Sequence, residues 1–237
     1  MQSERDPLPY FRAFSILESN LKAKGVHPML GRDFAWLDAE LSSQKSRSGS
    51  GVKGELLPHF SPMLNTYAPK EAFWLTLNNE AGEIVAVIAA RLNDLGSQPL
   101  TRHLEAYWTR CYRSEGGHPV AVRRQDDLFS DAITGRIVYL GELFVSVHWR
   151  GRDLSRLLCR LAQVVAFNLF EPDYLYAWMR PVHIEKGLHS RWGFSEEHRH
   201  AILWERGPAS IDNDLAIVGN SAREGYRMIR LISEGFL

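Results

Sequence analysis

The stretch Tyr139–Leu158, with the sequence YLGELFVSVHWRGRDLSRLL, decides the fold of this chain. Its first seven residues are mainly apolar, as in a buried strand. An Arg-Gly turn at Arg150–Gly151 follows, and leucines then recur at helical spacing from Leu154. A strand that runs through a short turn into a helix directs backbone N–H groups and a helix N-terminus toward one point. Such a point suits an anion, usually a phosphate.

This stretch resembles the acyl-CoA-binding motif of the GNAT superfamily of N-acyltransferases. In that motif a strand of the form L-x-V precedes [QR]-x-x-G-x-[GA] and a helix. Leu143 and Val145 match the strand, Arg150 opens the turn, and the two later small positions fall on Asp153 and Ser155. The resemblance implies acetyl-CoA, or another acyl-CoA, as co-substrate. It implies that the cofactor-binding residues are Leu143, Phe144, Val145, Arg150, Gly151, Arg152, Asp153, Leu154 and Ser155.

Asp153 is the residue at which this chain departs from the motif. A carboxylate beside a phosphate costs on the order of 1 kcal/mol at a surface-like dielectric. Asp153 could instead cap the helix or pair with Arg150 or Arg152. Without the resemblance, the same turn reads as an ordinary strand-to-helix connection with Asp153 or Ser155 as N-cap.

Two residues are candidates for proton transfer. Glu142 is the one acid in the apolar strand; it could be the general base for the amine, or it could face solvent or pair with an arginine. The segment 187–194, GLHSRWGF, resembles the family signature L-Y-x-x-x-G-F, with His189 at the place of the tyrosine. The resemblance implies that His189 protonates the departing thiolate. The alternative is a histidine at a helix C-terminus, where the helix dipole favours its charged form.

Composition limits the classes of partner. The chain has 237 residues, with 28 basic and 28 acidic side chains and a net charge of zero, which disfavours a nucleic-acid or anionic-membrane partner. Cys111 and Cys159 have neither metal nor disulfide-framework spacing, and no third ligand accompanies the histidines at 198 and 200, so no metal is expected. No apolar run reaches the ~20 residues of a membrane span, and the first residues are polar, so we expect a cytoplasmic protein.

The order of elements predicts a mixed α/β fold with a GNAT-like arrangement. Residues 42–54 are rich in Ser and Gly and predict a polar loop; they lack the Gly-Lys-[Ser/Thr] ending of a P-loop. Residues 113–134 predict a second long polar loop. The predicted helices are 8 to Gly25, a shorter one around 34–41, one around 104–111, 154–169, 183–191 and 223–233. The predicted strands are 73–77, 84–92, 137–147, 174–179, 200–204 and 215–218.

We therefore expect N-terminal helices and a polar loop over residues 1–69, a GNAT-like domain over 70–206 and a C-terminal extension over 207–237. The predicted function is transfer of acetyl from acetyl-CoA to a small-molecule or peptide amine, by direct attack in a ternary complex. Cys159 lies inside the helix after the turn, away from the expected thioester. The alternative is a non-catalytic module of the same fold that acts in regulation or dimerisation; a homodimer is considered in either case. A third option, an aminoacyl-tRNA donor, is disfavoured by the zero net charge.

Overall fold

The computed structural model describes residues 6–123, 129–208 and 211–236. The described residues form one mixed sheet of eight strands with helices on both faces. The strands are β1 (His27–Gly31), β2 (Ala72–Asn78), β3 (Ile84–Asp94), β4 (Ala121–Val122), β5 (Arg136–Val145), β6 (Tyr174–Met179), β7 (Glu196–Arg206) and β8 (Asp214–Ser221). The helices are α1 (Leu8–Lys22), α2 (Phe34–Ser48), α3 (Leu100–Cys111), α4 (Leu154–Phe170), α5 (Pro181–Glu185), α6 (Leu188–Arg191) and α7 (Ala222–Ser233).

The strand order across the sheet is β1-β2-β3-β5-β6-β8-β7-β4. β5 and β6 are parallel and are joined through α4, whereas the other neighbouring strands are antiparallel. One apolar core lies between the sheet and α1, α4 and α7, and a second lies on the opposite face under α2 and α3. The predicted mixed α/β fold is confirmed; β2 and β3 form an antiparallel hairpin, and α4 is the crossover helix between β5 and β6.

Two local predictions in the N-terminal part are wrong. The sequence analysis gave no strand before residue 73, but β1 pairs with β2 along the edge of the sheet. α2 continues to Ser48, into the stretch predicted as a loop. The reason is tertiary: the Gln44 side chain is buried and bonds both the N–H and the C=O of Ile84, at 2.9 and 2.8 Å. This anchor fixes the last turns of a helix whose own composition is polar.

The segments on either side of the predicted 70–206 domain each contribute a strand to the sheet: β1 comes from residues 1–69 and β8 from residues 207–237. β8, from the segment predicted as a C-terminal extension, lies between β6 and β7. α7 packs against α1, so the ends of the described chain meet on one face. The division at residues 69 and 206 stays a prediction. Within the second polar stretch, β4 pairs with β7, and Asp126–Asp127 lie outside the described residues.

Among the described residues, the helices are too short or too polar to cross a bilayer.

Candidate functional site

The centre of the sheet opens where its two parallel strands separate. β5 and β6 pair only between residues 137–139 and 174–176. Beyond that point β5 and β6 are no longer paired with each other, and a cavity of about 290 Å³ lies between them. The edge of β5 that faces β6 then has backbone N–H and C=O groups without a strand partner. The cavity is therefore lined by unpaired backbone as well as by side chains.

A bulge in β5 shapes one wall of this cavity. The register with β3 passes from Val87 opposite Phe144 to Ala89 opposite Gly141, so two residues of β5 lie opposite one of β3. Glu142, the first residue of the bulge, has a φ of 63°, in the left-handed region. A side chain at Gly141 would clash with the Tyr139 hydroxyl, because a Cβ there would lie 2.7 Å from it. The close approach to the backbone at Gly141 is thus made by Tyr139.

Glu142 is buried in an ion pair. Lys53 Nζ lies 2.9 Å from Oε2, and the side chains of Lys53 and Glu142 are 12% and 1% exposed. The N–H of Leu57 donates to Oε1 at 2.9 Å. Burial raises the pKa of Glu142, against the opposing effect of the Lys53 charge and these hydrogen bonds. Glu142 thus faces neither solvent nor an arginine, and its partners belong to the loop before β2, which the sequence analysis did not connect with the site.

The turn after β5 exposes a row of backbone donors. A short 3-10 turn, Val147–Trp149, leads to Arg150 and Gly151, which has a φ of 77°. Among the described residues, no protein group accepts a hydrogen bond from the N–H groups of residues 151–156. A groove of about 350 Å³ lies over these groups and shares the residues 143, 144, 183 and 192 with the cavity between the strands. The groove and the cavity therefore adjoin, with free N–H groups at one end.

Asp153 does not cap α4. It stands at the N-cap position with a φ of 64°, and its side chain accepts no N–H of the helix. It pairs instead with Arg156, whose Nε lies 2.7 Å from Oδ2, and Arg191 lies 3.7 Å from Oδ1. Burial acts to raise the pKa of Asp153, but the hydrogen bond and charge of Arg156 outweigh it, so the pKa is lowered. Of the alternatives that the sequence left open, pairing with an arginine is the one seen, but the partner is Arg156 of α4, one turn away, and not Arg150 or Arg152.

The two arginines of the turn occupy different positions. Arg150 lines the groove, and its Nε donates to the Val145 carbonyl at 3.1 Å. The Arg152 guanidinium lies over the Trp149 ring, 4.4 Å from its centroid, and is not among the residues that line the groove. Of the predicted cofactor-binding residues, the groove brings together Leu143, Phe144, Val145, Arg150, Gly151, Asp153, Leu154 and Ser155.

His183, rather than His189, faces both cavities. Gly187, with a φ of 65°, separates α5 from α6, and Leu188 and Trp192 then turn toward the groove. The His189 ring points elsewhere and lies 3.0 Å from Glu197 Oε2. The sequence pattern fixed the distance of His189 from Gly193-Phe194 but not the break in the helix. The glycine at 187, within the predicted helix, was the signal for that break.

Cys159 lines the cavity between the strands, although the sequence analysis placed it away from the expected thioester. Burial raises the pKa of its thiol to about 12. A thiol with this pKa is protonated at neutral pH and is a poor nucleophile. Among the described residues, no group of three or more His, Cys, Asp or Glu side chains could hold a metal ion.

No family model matches this chain, and no curated protein matches it. Several solved structures do match. NAA60 of Arabidopsis thaliana in complex with acetyl-CoA has a TM-score of 0.47 and 12% identity over 83% of this chain and 98% of its own. A GNAT-family acetyltransferase of Staphylococcus aureus has 0.43 and 13% over 83% and 99%. Aminoglycoside acetyltransferase AAC(6')-Ib with coenzyme A and kanamycin has 0.45 and 13% over 85% and 98%. At these TM-scores the likeness is partial, and what this chain binds has to be argued from its own residues.

Proposed function

We propose that this chain is an N-acyltransferase of the GNAT type that transfers acetyl from acetyl-CoA to an amine. The observation that carries the proposal is the continuous space between the separated strands β5 and β6 and the free N–H groups of the turn. A long, bent molecule with a pyrophosphate at one end and a thioester at the other fits such a space. The predicted motif lies along it, in the expected order.

The N–H groups of residues 151–156 and the Arg150 guanidinium would hold the pyrophosphate, because both supply positive charge to a point next to a helix N-terminus. A backbone N–H on the free edge of β5 would polarise the thioester carbonyl in the manner of an oxyanion hole. The amine would attack that carbonyl carbon, a C–N bond would form, and the C–S bond would break to release coenzyme A as its thiolate, which takes up a proton from water. The proton that the amine loses must pass to a nearby base.

Two side chains can take part in that proton transfer. His183 lines both cavities, and burial together with the charges of Arg180 and Lys186 lowers its pKa, so that its imidazole is neutral at pH 7. Glu142 lines the inner cavity, but both of its oxygens are engaged. We therefore assign the base role to His183 and keep Glu142 as the second candidate. The position of His189 does not support its predicted role as the acid.

Calorimetric titration tests the proposal. We expect acetyl-CoA to bind with micromolar-range affinity, about −7 to −8 kcal/mol. Arg150→Ala should weaken binding by about 1–3 kcal/mol, the usual order for a charged hydrogen bond. Arg152→Ala is the matched control: Arg152 carries the same charge two residues later, but its guanidinium lies outside the groove. Its replacement should weaken acetyl-CoA binding less than that of Arg150. If the unaltered protein does not bind acetyl-CoA at millimolar concentration, the proposed acetyltransferase function is excluded.

Replacing Asp153 should tighten acetyl-CoA binding. Asp153→Gly removes a carboxylate from the groove, suits the φ of 64° and frees Arg156 for the ligand. Asp153→Asn removes the charge but keeps the size of the side chain and its tolerance of this φ. We expect both variants to bind more tightly by about 1 kcal/mol, most clearly at low salt. Stability should change little, because no cap hydrogen bond is lost.

Titration of both variants at two salt concentrations measures this effect. If both variants bind acetyl-CoA more weakly than the parent, Asp153 contributes to the site through Arg156, and the repulsion argument is wrong. If only the Gly variant binds more tightly, backbone strain rather than charge limits the affinity.

The non-catalytic alternative predicts a different pattern. Arg150 already bonds the Val145 carbonyl, which is a group on the strand that the acyl donor would follow. A module that does not bind acetyl-CoA would retain this bond, and Arg150→Ala would then alter stability and leave the titration flat.

A further inference from the structure

A buried arginine lies next to the cavity without an acidic partner. Arg91 on β3 is 2% exposed. Its guanidinium carbon lies 3.4 Å from the centroid of the Tyr107 ring and 5.3 Å from that of Tyr139. Within the described part of the chain, Arg91 forms no ion pair with a carboxylate, and Arg110, whose guanidinium also lies over Tyr107, forms none either. A buried cation without an opposite charge is expensive unless something else compensates it.

The groups around Arg91 do not supply a negative charge. The phenols of Tyr67 and Tyr176 interact with it, but burial raises the pKa of both, that of Tyr176 to about 12. Burial and then the Arg91 charge lower the pKa of His59 and of His103, so that these rings are neutral. The contacts with aromatic rings recover part of the lost hydration through the ring quadrupoles. The net charge of the cluster is still positive.

The same cluster holds buried polar atoms, most of them donors, that have no hydrogen-bond partner among the described residues. His59 is 2% exposed, and neither of its ring nitrogens has a partner. The indole N–H groups of Trp178 and Trp204 and the Nε of Arg91 are buried and also unpaired in the described structure. The rings form one group: Trp108 lies 4.8 Å from His59, 5.4 Å from Trp178 and 4.9 Å from Trp204 between centroids. Buried donors are normally satisfied, so several in one place call for an acceptor that the chain does not provide.

This cluster adjoins the cavity between β5 and β6. Tyr139 and Trp178 line that cavity, and the same two rings face Arg91 and His59. The segment 53–67, which has no helix or strand, contributes His59 and Tyr67 to the cluster. It is held at one end by the Lys53–Glu142 pair and at the other by Asn65, whose Oδ1 accepts from the Tyr107 hydroxyl at 2.5 Å and from Arg110 at 2.7 Å.

We propose that the Arg91 guanidinium and the Trp178 indole N–H bind the carboxylate of the amine acceptor, and that the Tyr139 ring turns aside to admit it. The acceptor is then an amine that also carries a carboxylate, of the amino-acid class. This inference rests on the proposed acyl transfer. With the Tyr139 ring in place these polar groups stay unsatisfied, and a carboxylate would satisfy them, so binding favours the displaced ring by that difference. The Tyr139 ring lines the cavity and faces Arg91, so one small molecule can reach both.

Paired amines test the assignment. Each standard amino acid is compared with its amide as acceptor, since the pair differs only in the carboxylate. For the true acceptor, we expect kcat/KM to be about 100-fold or more higher for the amino acid than for its amide. The reason is that a site built for a polar group rejects the analogue that lacks it. In Arg91→Met this preference should disappear through a rise in KM of the amino acid. Equal use of both members by the unaltered protein would overturn the assignment and leave the acyltransferase proposal standing.

Stability gives a readout that is independent of turnover. Arg91→Met should raise the melting temperature, because it replaces a buried uncompensated cation by an apolar chain. Arg136→Met is the matched control: Arg136 donates to the Phe170 carbonyl at 2.7 and 3.2 Å, and its loss should lower the melting temperature. Acetyl-CoA binding should be the same in Arg91→Met as in the parent. A fall in melting temperature for Arg91→Met as large as the control would show a structural arginine and refute the site.

Thermal shifts with the amino acids and amides alone separate this inference from the acyl transfer. If the parent protein is stabilised by an amino acid but not by its amide, and Arg91→Met by neither, the carboxylate site stands even where no acetyl transfer is found. If the amino acids shift the parent and Arg91→Met equally, or shift neither, the site is refuted.

Discussion

His183→Ala is expected to lower kcat by a factor of 10²–10⁴, the usual range for loss of a positioned acid or base. The imidazole lies where the groove meets the cavity between the strands. His183 is the residue of α5 that lines both spaces. A neutral ring can accept the proton that the amine loses as the C–N bond forms. Acetyl-CoA affinity should change little, because proton transfer contributes mainly in the transition state.

The pH dependence follows from the direction of the His183 pKa. Burial and the charges of Arg180 and Lys186 lower it from 6.5, so the protonated, inactive form predominates only at more acid pH. The acid limb of kcat/KM that belongs to this base should therefore lie below pH 6.5 and disappear in His183→Ala. Initial rates between pH 5 and 9 with a good acceptor measure it.

His189→Ala is the matched control, since it removes the same side chain six residues later. Its ring is paired with Glu197, outside both cavities, so its kcat should stay within a few-fold of the parent. A large loss for His189→Ala together with a normal rate for His183→Ala would restore the assignment implied by the family signature. The kcat of Glu142→Gln tests the second candidate base: a large loss there, with a normal rate for His183→Ala, would assign the base role to Glu142.

Lys53→Met is expected to reduce the free energy of unfolding by about 3–5 kcal/mol at pH 7, the cost of leaving one charge of a buried pair without its partner. Glu142 would stay 1% exposed with only the Leu57 N–H for its charge. The double variant Lys53→Met/Glu142→Gln should recover most of the loss, because the amide oxygen can still accept from Leu57. Urea unfolding at pH 7 measures all three proteins.

The loss should depend on pH in a defined direction. Burial raises the pKa of folded Glu142 above the ordinary value of 4.5, and removing Lys53 takes away the largest opposing effect. The folded state then holds a proton that the unfolded state releases, so stability falls as pH rises from 4.5 through the folded pKa. The destabilisation in Lys53→Met should be smallest below pH 4.5 and largest above the raised pKa.

Arg47→Met is the control for this prediction. Arg47 and Glu40 form a pair at 3.1 Å in which the arginine is 64% exposed, and such pairs contribute about 0–1 kcal/mol. If Lys53→Met costs no more than Arg47→Met at any pH, Glu142 is protonated in the folded protein and the loop before β2 is held by other contacts.

Local patterns in the sequence predicted the elements that bind the proposed cofactor. The strand, the Arg-Gly turn and α4 are consecutive, so their spacing alone brings Leu143 and Arg150 to one groove. The partners of Glu142 were not predictable in this way, since Leu57 is 85 residues away and lies in a loop without periodicity. The position of the His189 ring was not predictable for a different reason: the left-handed conformation at Gly187 changes the direction of the helix that carries it.

The position of β8 has a consequence for synthesis of the chain. β6 forms a wall of the cavity, and its outer edge pairs with β8, whose last residue is Ser221. This part of the sheet can therefore close only after β8 has been synthesised, well after β6 itself. Until then β6 presents an unpaired edge, which can pair wrongly with other chains. Variants that weaken β8 are thus expected to aggregate during folding.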